Sequence, residues 1–337
     1  MKAARHEPTD RTAVWLMRQA GRYLPEYRAL RRQVGFLALC KDPELCAEIM
    51  IQTVSRLGVD AAILFSDLLL ILEPMGLDLE FPGGQGPHLG NPIRSAADVD
   101  RLRELESMEE LNFVVEAVRK TRAGLPGHVP LIGFAGAPFT LAAYAIEGGG
   151  SRDYRLTKGL MYADPGAWDA MMGRMARAVA RYLHAQIDAG AQVVQLFDSW
   201  VGCLGPDDYR RYVLSHSRAV FHSLQTLRPD VPTIHFATGN PALLPWLSEA
   251  GGSVIGVDWR VRLDDAWRAI GEQKGLQGNL DPVVLLAPPA EVRGHVRQML
   301  QQVRGRAGYI ANLGHGVLPQ TPVDNVLAMI DAVHQFG

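Results

Sequence analysis

The chain has 337 residues, of which 47% are apolar and 21% charged, with a formal net charge of −2. That length accommodates one large domain or two ordinary ones, and a core big enough to fold without disulfide or metal. The near-neutral balance sets aside a general nucleic-acid binder, and no run approaches the roughly 20 apolar residues of a membrane span.

In chain order, the first apolar run is 13–17, followed by an arginine-rich stretch, "WLMRQAGRYLPEYRALRR", over 15–32. A helical pattern over 42–58 opens on Asp-Pro and stops on Gly. A second apolar run covers 61–66. An insertion over 74–128 begins Gly/Pro-rich, which predicts a loop or short hairpin, and then turns helical. The third run is 129–135, and a long helix is predicted over 164–190. Further runs at 192–197, 232–237, 253–258, 275–279 and 308–313 alternate with helical patterns over 205–227, 240–252, 264–273, 289–303 and 321–336. Most runs are continuously apolar rather than alternating, which is the pattern of parallel strands buried on both faces. Eight strands, each leading to a helix, predict a closed (β/α)₈ TIM barrel, a single α/β domain over 1–337 with the insertion at about 74–128. An open doubly wound sheet competes, but no GxGxxG follows the first strand.

In such a barrel chemistry gathers where strands end. The residues there are Arg18, Gln19, Gly21 and Arg22; Asp67; a segment containing Tyr144; Asp198 and Ser199; Asp281; and His315 between two glycines. Each has a plainer reading. Asp67 can cap the following helix, although its neighbours "ILF" and "LLLIL" place a carboxylate in apolar surroundings, where it must be paired or serve chemistry. His315 can be a hydrogen-bonded structural histidine, although its flanking glycines suit close approach of a ligand. Asp198 can be structural, and Asp281 in "GNLDP" reads as a turn or helix start.

The arginine stretch resists a plain reading. It holds Arg18, Arg22, Arg28, Arg31 and Arg32 against one acid, Glu26, and Gly21 and Pro25 interrupt any helix. Guanidinium groups in a loop at a cavity mouth suit bidentate binding of carboxylate or phosphate. Arg28, Arg31 and Arg32 read as surface charges or salt-bridge partners. The glycines at 148–150 lack the Lys and Ser/Thr of a phosphate-binding P-loop. No metal is expected: the ten histidines form no HxH or HExxH. The three cysteines, Cys40, Cys46 and Cys203, form no CxxC, and with the polar start "MKAARHEPTD" they suit a cytoplasmic protein.

Six segments, "VWLMRQAGRYLPEYR", "ILFSDLL", "GFAGAPFTLAAYAIEGGGS", "QLFDS", "LQGNLDP" and "YIANLGHGVLPQTP", resemble in order the motifs of the uroporphyrinogen decarboxylase family over positions 14–322. The resemblance implies a (β/α)₈ barrel, a homodimer, and no metal or organic cofactor. The implied reaction converts the four acetate side chains of uroporphyrinogen III to methyls, giving coproporphyrinogen III and CO₂. Carried over by motif, it implies substrate contacts from Arg18, Gln19, Ala20, Gly21, Arg22, Asp67, Tyr144, Ser199 and His315, with Asp67, Arg18 and Arg22 catalytic. Departures are small: Ala13 stands where the family often has Pro, and Trp200 where some members have His, so position 200 receives no role. Two other readings are a zinc-dependent methyltransferase of the corrinoid or methionine-synthase type, which needs an HxC motif absent here, and a non-catalytic tetrapyrrole carrier, which could dispense with Asp67.

Overall fold

Each of the eight apolar runs contains a strand in the computed structural model, which describes residues 1–82 and 86–337. They are β1 (Ala13–Val14), β2 (Ala62–Ile63), β3 (Leu131–Gly136), β4 (Val193–Asp198), β5 (Thr233–Ala237), β6 (Val254–Gly256), β7 (Gly275–Leu280) and β8 (Tyr309–Leu313). All pairings among them are parallel, in the order β1-β8-β7-β6-β5-β4-β3-β2. Every residue of β3, β7 and β8 is buried. That is why these strands read as continuous apolar runs: helices cover the outer face and side chains fill the inner one.

β1 and β2 are the shortest strands, and the wall closes between them through one acid. Asp60 N–H donates to Val14 O at 2.8 Å, and Val14 N–H donates back to Asp60 Oδ2 at 2.9 Å. The same carboxylate accepts from Arg11 Nη2 at 2.7 Å and from His334 Nε2 at 2.8 Å. It therefore joins the first strand, the residues ahead of it, and the last helix, Val323–Phe336.

The helix grammar holds at most ends. Asp42 accepts from Glu44 N and Leu45 N to open Pro43–Leu57, which stops at Gly58 in the left-handed region (φ +67°). Asp164 does the same for Pro165–Asp188. Two expectations change. Pro25 starts a helix, Pro25–Arg31, instead of only interrupting one, because proline at the first helical position sacrifices no hydrogen bond. The pattern over 205–227 is two helices, Pro206–Tyr212 and Leu214–Leu227, broken at Val213. The insertion carries a two-residue antiparallel ladder, Leu79–Glu80 against His88–Leu89, then helices Ala96–Arg101 and Asn112–Gly124. Gly83, Gly84 and Gln85 of the expected loop lie outside the described residues. No helix among the described residues is long and apolar enough to cross a membrane.

Polar groups inside the barrel are chained across it. Trp15 Nε1 donates to Gln277 Oε1 and Gln277 Nε2 to Gln195 Oε1, both at 3.0 Å. Buried amides of this kind are costly unless paired, and this run of bonds ends at Gln195 Nε2, which has no partner among the described residues.

Replacing Asp60 by Ala removes three side-chain hydrogen bonds at the seam and leaves the Val14 N–H without its partner. The expected loss is about 1–3 kcal/mol in urea denaturation. A loss below about 0.5 kcal/mol, the range of ordinary surface changes, would show that the seam does not depend on this carboxylate.

Candidate active site

The turn after β1 is built from its own side chains. Gln19 N–H donates to Leu16 O, while Gln19 Oε1 accepts from Leu16 N at 3.1 Å and Nε2 donates to Ala61 O at 3.2 Å. Tyr23 Oη donates to Gln19 O at 2.7 Å. Gln19 is fully buried. Its side chain therefore holds the turn. Held this way, Arg18 adopts φ +60°, a left-handed conformation that costs a non-glycine residue on the order of 1–3 kcal/mol unless its surroundings impose it. Gly316 makes room for the result: a Cβ there would stand 2.4 Å from Arg18 Cδ.

The one acid of the stretch, Glu26, pairs with Arg56. Among the described residues no carboxylate comes within ion-pair distance of Arg18 or Arg22, and both side chains are exposed. Arg31 departs from the surface role expected of it. It is half-buried, its guanidinium 5.5 Å over the Phe36 ring and donating to Val34 O. The N–H groups of Ala20, Gly21 and Arg22 meet no protein acceptor among the described residues, so this turn also presents main-chain donors to an anion.

Asp67 lies four residues beyond β2. Its Oδ1 accepts from Leu69 N at 2.9 Å, ahead of the 3₁₀ turn Leu70–Leu72. This bond closes a local turn rather than capping the helix, whose N-cap is Leu69, and the other oxygen has no protein donor among the described residues. Burial pushes the carboxyl up to about 6, against the opposing pull of the Leu69 N–H and the Arg18 charge. Desolvation wins although a cation is near. Burial likewise pushes the Tyr144 hydroxyl up to about 12; Asp67 adds to the shift and Arg18 opposes it. His315 is pushed down to about 4, by burial first and then by Arg18, with Asp258 opposing. Gly316 N–H donates to His315 Nδ1 at 2.8 Å, so the ring proton sits on Nε2 and this neutral imidazole is a hydrogen-bond donor there. The charge of Arg18 thus reaches Asp67, Tyr144 and His315 from one place.

Tyr144, on the helix Pro138–Glu147, stacks on Trp200 with centroids 3.6 Å apart. Ser199 precedes Trp200, and its carbonyl accepts from Thr238 Oγ1 at 2.9 Å. The charge of Arg22 reaches Tyr27, as a minor opposing influence on its burial-raised hydroxyl. Arg260 was missed by the reading of strand ends, although "VDWR" directly follows β6. Its charge acts on His315, its guanidinium lies 4.4 Å over Trp259, and it pairs with the buried Asp258. The pairing neutralises much of it.

The plainer readings hold elsewhere. Asp281 accepts from Val283 N at 2.9 Å and opens a 3₁₀ turn. Gly148 ends a helix at φ +80°. Burial pushes the Cys203 thiol up to about 11, away from reactivity. No group of three or more His, Cys, Asp or Glu is gathered around a possible metal position among the described residues. A cavity of about 760 Å³ opens at the other end of the barrel, beside Thr233, Ser253 and Lys274. It includes none of the residues named above, and in this fold the amino ends of the strands serve stability rather than chemistry.

Residues 1–336 match the family model described as uroporphyrinogen decarboxylase (URO-D). The chain is 55% identical over 336 residues to the uroporphyrinogen decarboxylase of Sorangium cellulosum, covering 100% of this chain and 95% of that protein. It is 51% identical over 337 residues to that of Carboxydothermus hydrogenoformans, covering 100% and 96%. Among solved structures, a methyltransferase from Methanosarcina mazei superposes with a TM-score of 0.79 at 22% identity, covering 99% of this chain and 96% of that one. A putative vitamin-B12 independent methionine synthase from Listeria monocytogenes gives 0.60 at 11%, covering 98% of each. These two likenesses speak for the barrel alone. The full-length match and the half-identical relatives, together with the strand-end residues of the RQAGR, FSD and GHG motifs, make the chain a member of the uroporphyrinogen decarboxylase family.

Proposed function

We propose that this chain decarboxylates uroporphyrinogen III, converting its four acetate side chains to methyls with release of four CO₂. The observation that carries the chemistry is the unpaired guanidinium of Arg18, whose charge acts at once on Asp67, Tyr144 and His315. The substrate bears eight carboxylates and four inward-pointing pyrrole N–H groups. Arg18, Arg22 and the free N–H groups of Ala20 and Gly21 supply donors for the carboxylates. His315 Nε2–H, Ser199 and Tyr144 add neutral ones. The open oxygen of Asp67 can accept from several pyrrole N–H groups and so centre the macrocycle.

Direct loss of CO₂ from an acetate would leave an unstabilised carbanion. A proton added to the ring α-carbon next to the carbon bearing that acetate turns the ring into a cationic electron sink, with positive charge shared by the acetate-bearing carbon. Loss of CO₂ then leaves its electron pair as an exocyclic double bond. Protonation of that methylene and loss of the ring proton give the methyl. The net change per acetate is CO₂ released and one proton gained. Asp67, raised to about 6 yet mostly ionised at neutral pH, presents its negative charge to the ring as the positive charge develops. Fixed charge of that kind in a dry site is commonly the largest catalytic contribution.

Family membership favours this reading over a zinc-dependent methyltransferase or a passive carrier. The same proposal takes residues 1–337 as one barrel domain working as a cytoplasmic homodimer. Anaerobic incubation with uroporphyrinogen, followed by oxidation and chromatography, should yield the four-carboxylate porphyrin. Recovery of the eight-carboxylate form alone would refute it.

Asp67→Asn keeps the hydrogen bond from Leu69 and removes the charge. Turnover should fall by about 10²–10³-fold, and a variant that turns over like the parent would end the assignment. The same change has a stability signature. The carboxyl value is higher in the folded chain than the ordinary 3.8, so between about pH 4 and 6 the folded protein holds a proton that the unfolded chain has released. Stability from this group is therefore fully present below that window and lost as pH rises through it. Asp67→Asn should unfold at a temperature equal to or above the parent at pH 7, and the difference should shrink towards pH 4. Arg18→Ala should raise KM, lower kcat or both, most clearly at low ionic strength; unchanged kinetics would exclude it from the site.

A further inference from the structure

We infer that Trp200 is a positioning residue of the reaction, which sets the hydroxyl of Tyr144 by stacking on its ring. The inference rests on the assignment of Tyr144 to the substrate site made above. The Tyr144 and Trp200 rings lie 3.6 Å apart at 27°, and the edge of Tyr154 meets Trp200 at 5.3 Å. Tyr144 Oη has no protein hydrogen-bond partner among the described residues, yet it feels the charges of both Asp67 and Arg18. Rotation about its Cβ–Cγ axis leaves Oη in place, but the O–H bond prefers the ring plane, so the plane of the ring decides the directions in which the hydroxyl donates. The stack is what fixes that plane.

Trp200 is itself held from two sides. Its main-chain N–H donates to Thr140 Oγ1 at 3.3 Å, and the Thr140 hydroxyl donates to Asp198 Oδ1 at 3.0 Å. Thr140 and Tyr144 are one helical turn apart and share a face, so a polar tie and an aromatic tie join the same helix to the same loop. Asp198 and Thr140 are fully buried; Asp198 Oδ2 makes no hydrogen bond among the described residues but faces the buried His235 Nε2 at 3.9 Å, while Oδ1 orients Thr140 for the main chain of Trp200. The turn beyond has no slack either, since a Cβ on Gly202 would stand 2.1 Å from Thr238 O.

Core packing alone would place Trp200 here without any link to turnover, and a double-mutant cycle separates the two. Trp200→Ala should lower kcat/KM by about three- to ten-fold, the range of one aromatic pair, and Trp200→Phe should restore most of it. In a Tyr144→Phe background, where the ring remains and the hydroxyl is gone, Trp200→Ala should cost nothing further. Equal losses in both backgrounds would overturn the inference while leaving Tyr144 in the site. Unchanged kinetics for Tyr144→Phe alone would instead remove Tyr144 from the site and the inference with it. Trp200→Leu, which keeps apolar bulk but no ring face, takes the place of the alanine variant if that one fails to fold.

Discussion

A carboxylate only partly open to water, within reach of the charge of one guanidinium, is the constraint around which this barrel mouth is arranged. Arg18 does not cancel the cost of burying Asp67; the acid remains shifted towards its neutral form. The residual imbalance is useful only if a cationic partner arrives later, as a substrate ring that becomes positive during reaction would. Much of the surrounding structure serves to keep both groups in that unsatisfied state. Glu26 is drawn off by Arg56, Gln19 uses up its own side chain in the turn, and Gly316 leaves a hollow for the stem of Arg18.

His315 and Tyr144 show the same principle with neutral groups. Both are pushed away from ionisation by burial, one below and one above the physiological range. Each is left as a hydrogen-bonding group of unchanging charge. An anionic ligand then meets a fixed set of donors across ordinary pH, and Asp67 is the member of this group placed to respond to protonation.

The barrel was legible because parallel strands covered on both faces must be apolar throughout, and because Asp-Pro and Gly mark helix ends independently of tertiary context. Asp67 and Arg18 were legible from their odd neighbours: an acid inside an apolar run, and arginines without acids. What escaped has physical causes. The buried role of Gln19 depends on Ala61, 42 residues away, and no local pattern announces that bond. Arg31 looked like surface because its cover, Phe36, lies in the next helix. Arg260 escaped because its acid partner, Asp258, sits two residues before it and made the pair look ordinary. The break at Val213 interrupts a continuous helical pattern, and only packing decides it.

The cation-bearing turn springs from β1, and β1 is two residues long. Its outer neighbour, β2, is equally short, and their junction is a carboxylate clip rather than a ladder of amides. The groups that must grip a large polyanion are therefore mounted on the most weakly laced stave of the cask. That clip sits at the amino end of the barrel, so the mouth above inherits its position from a single seam.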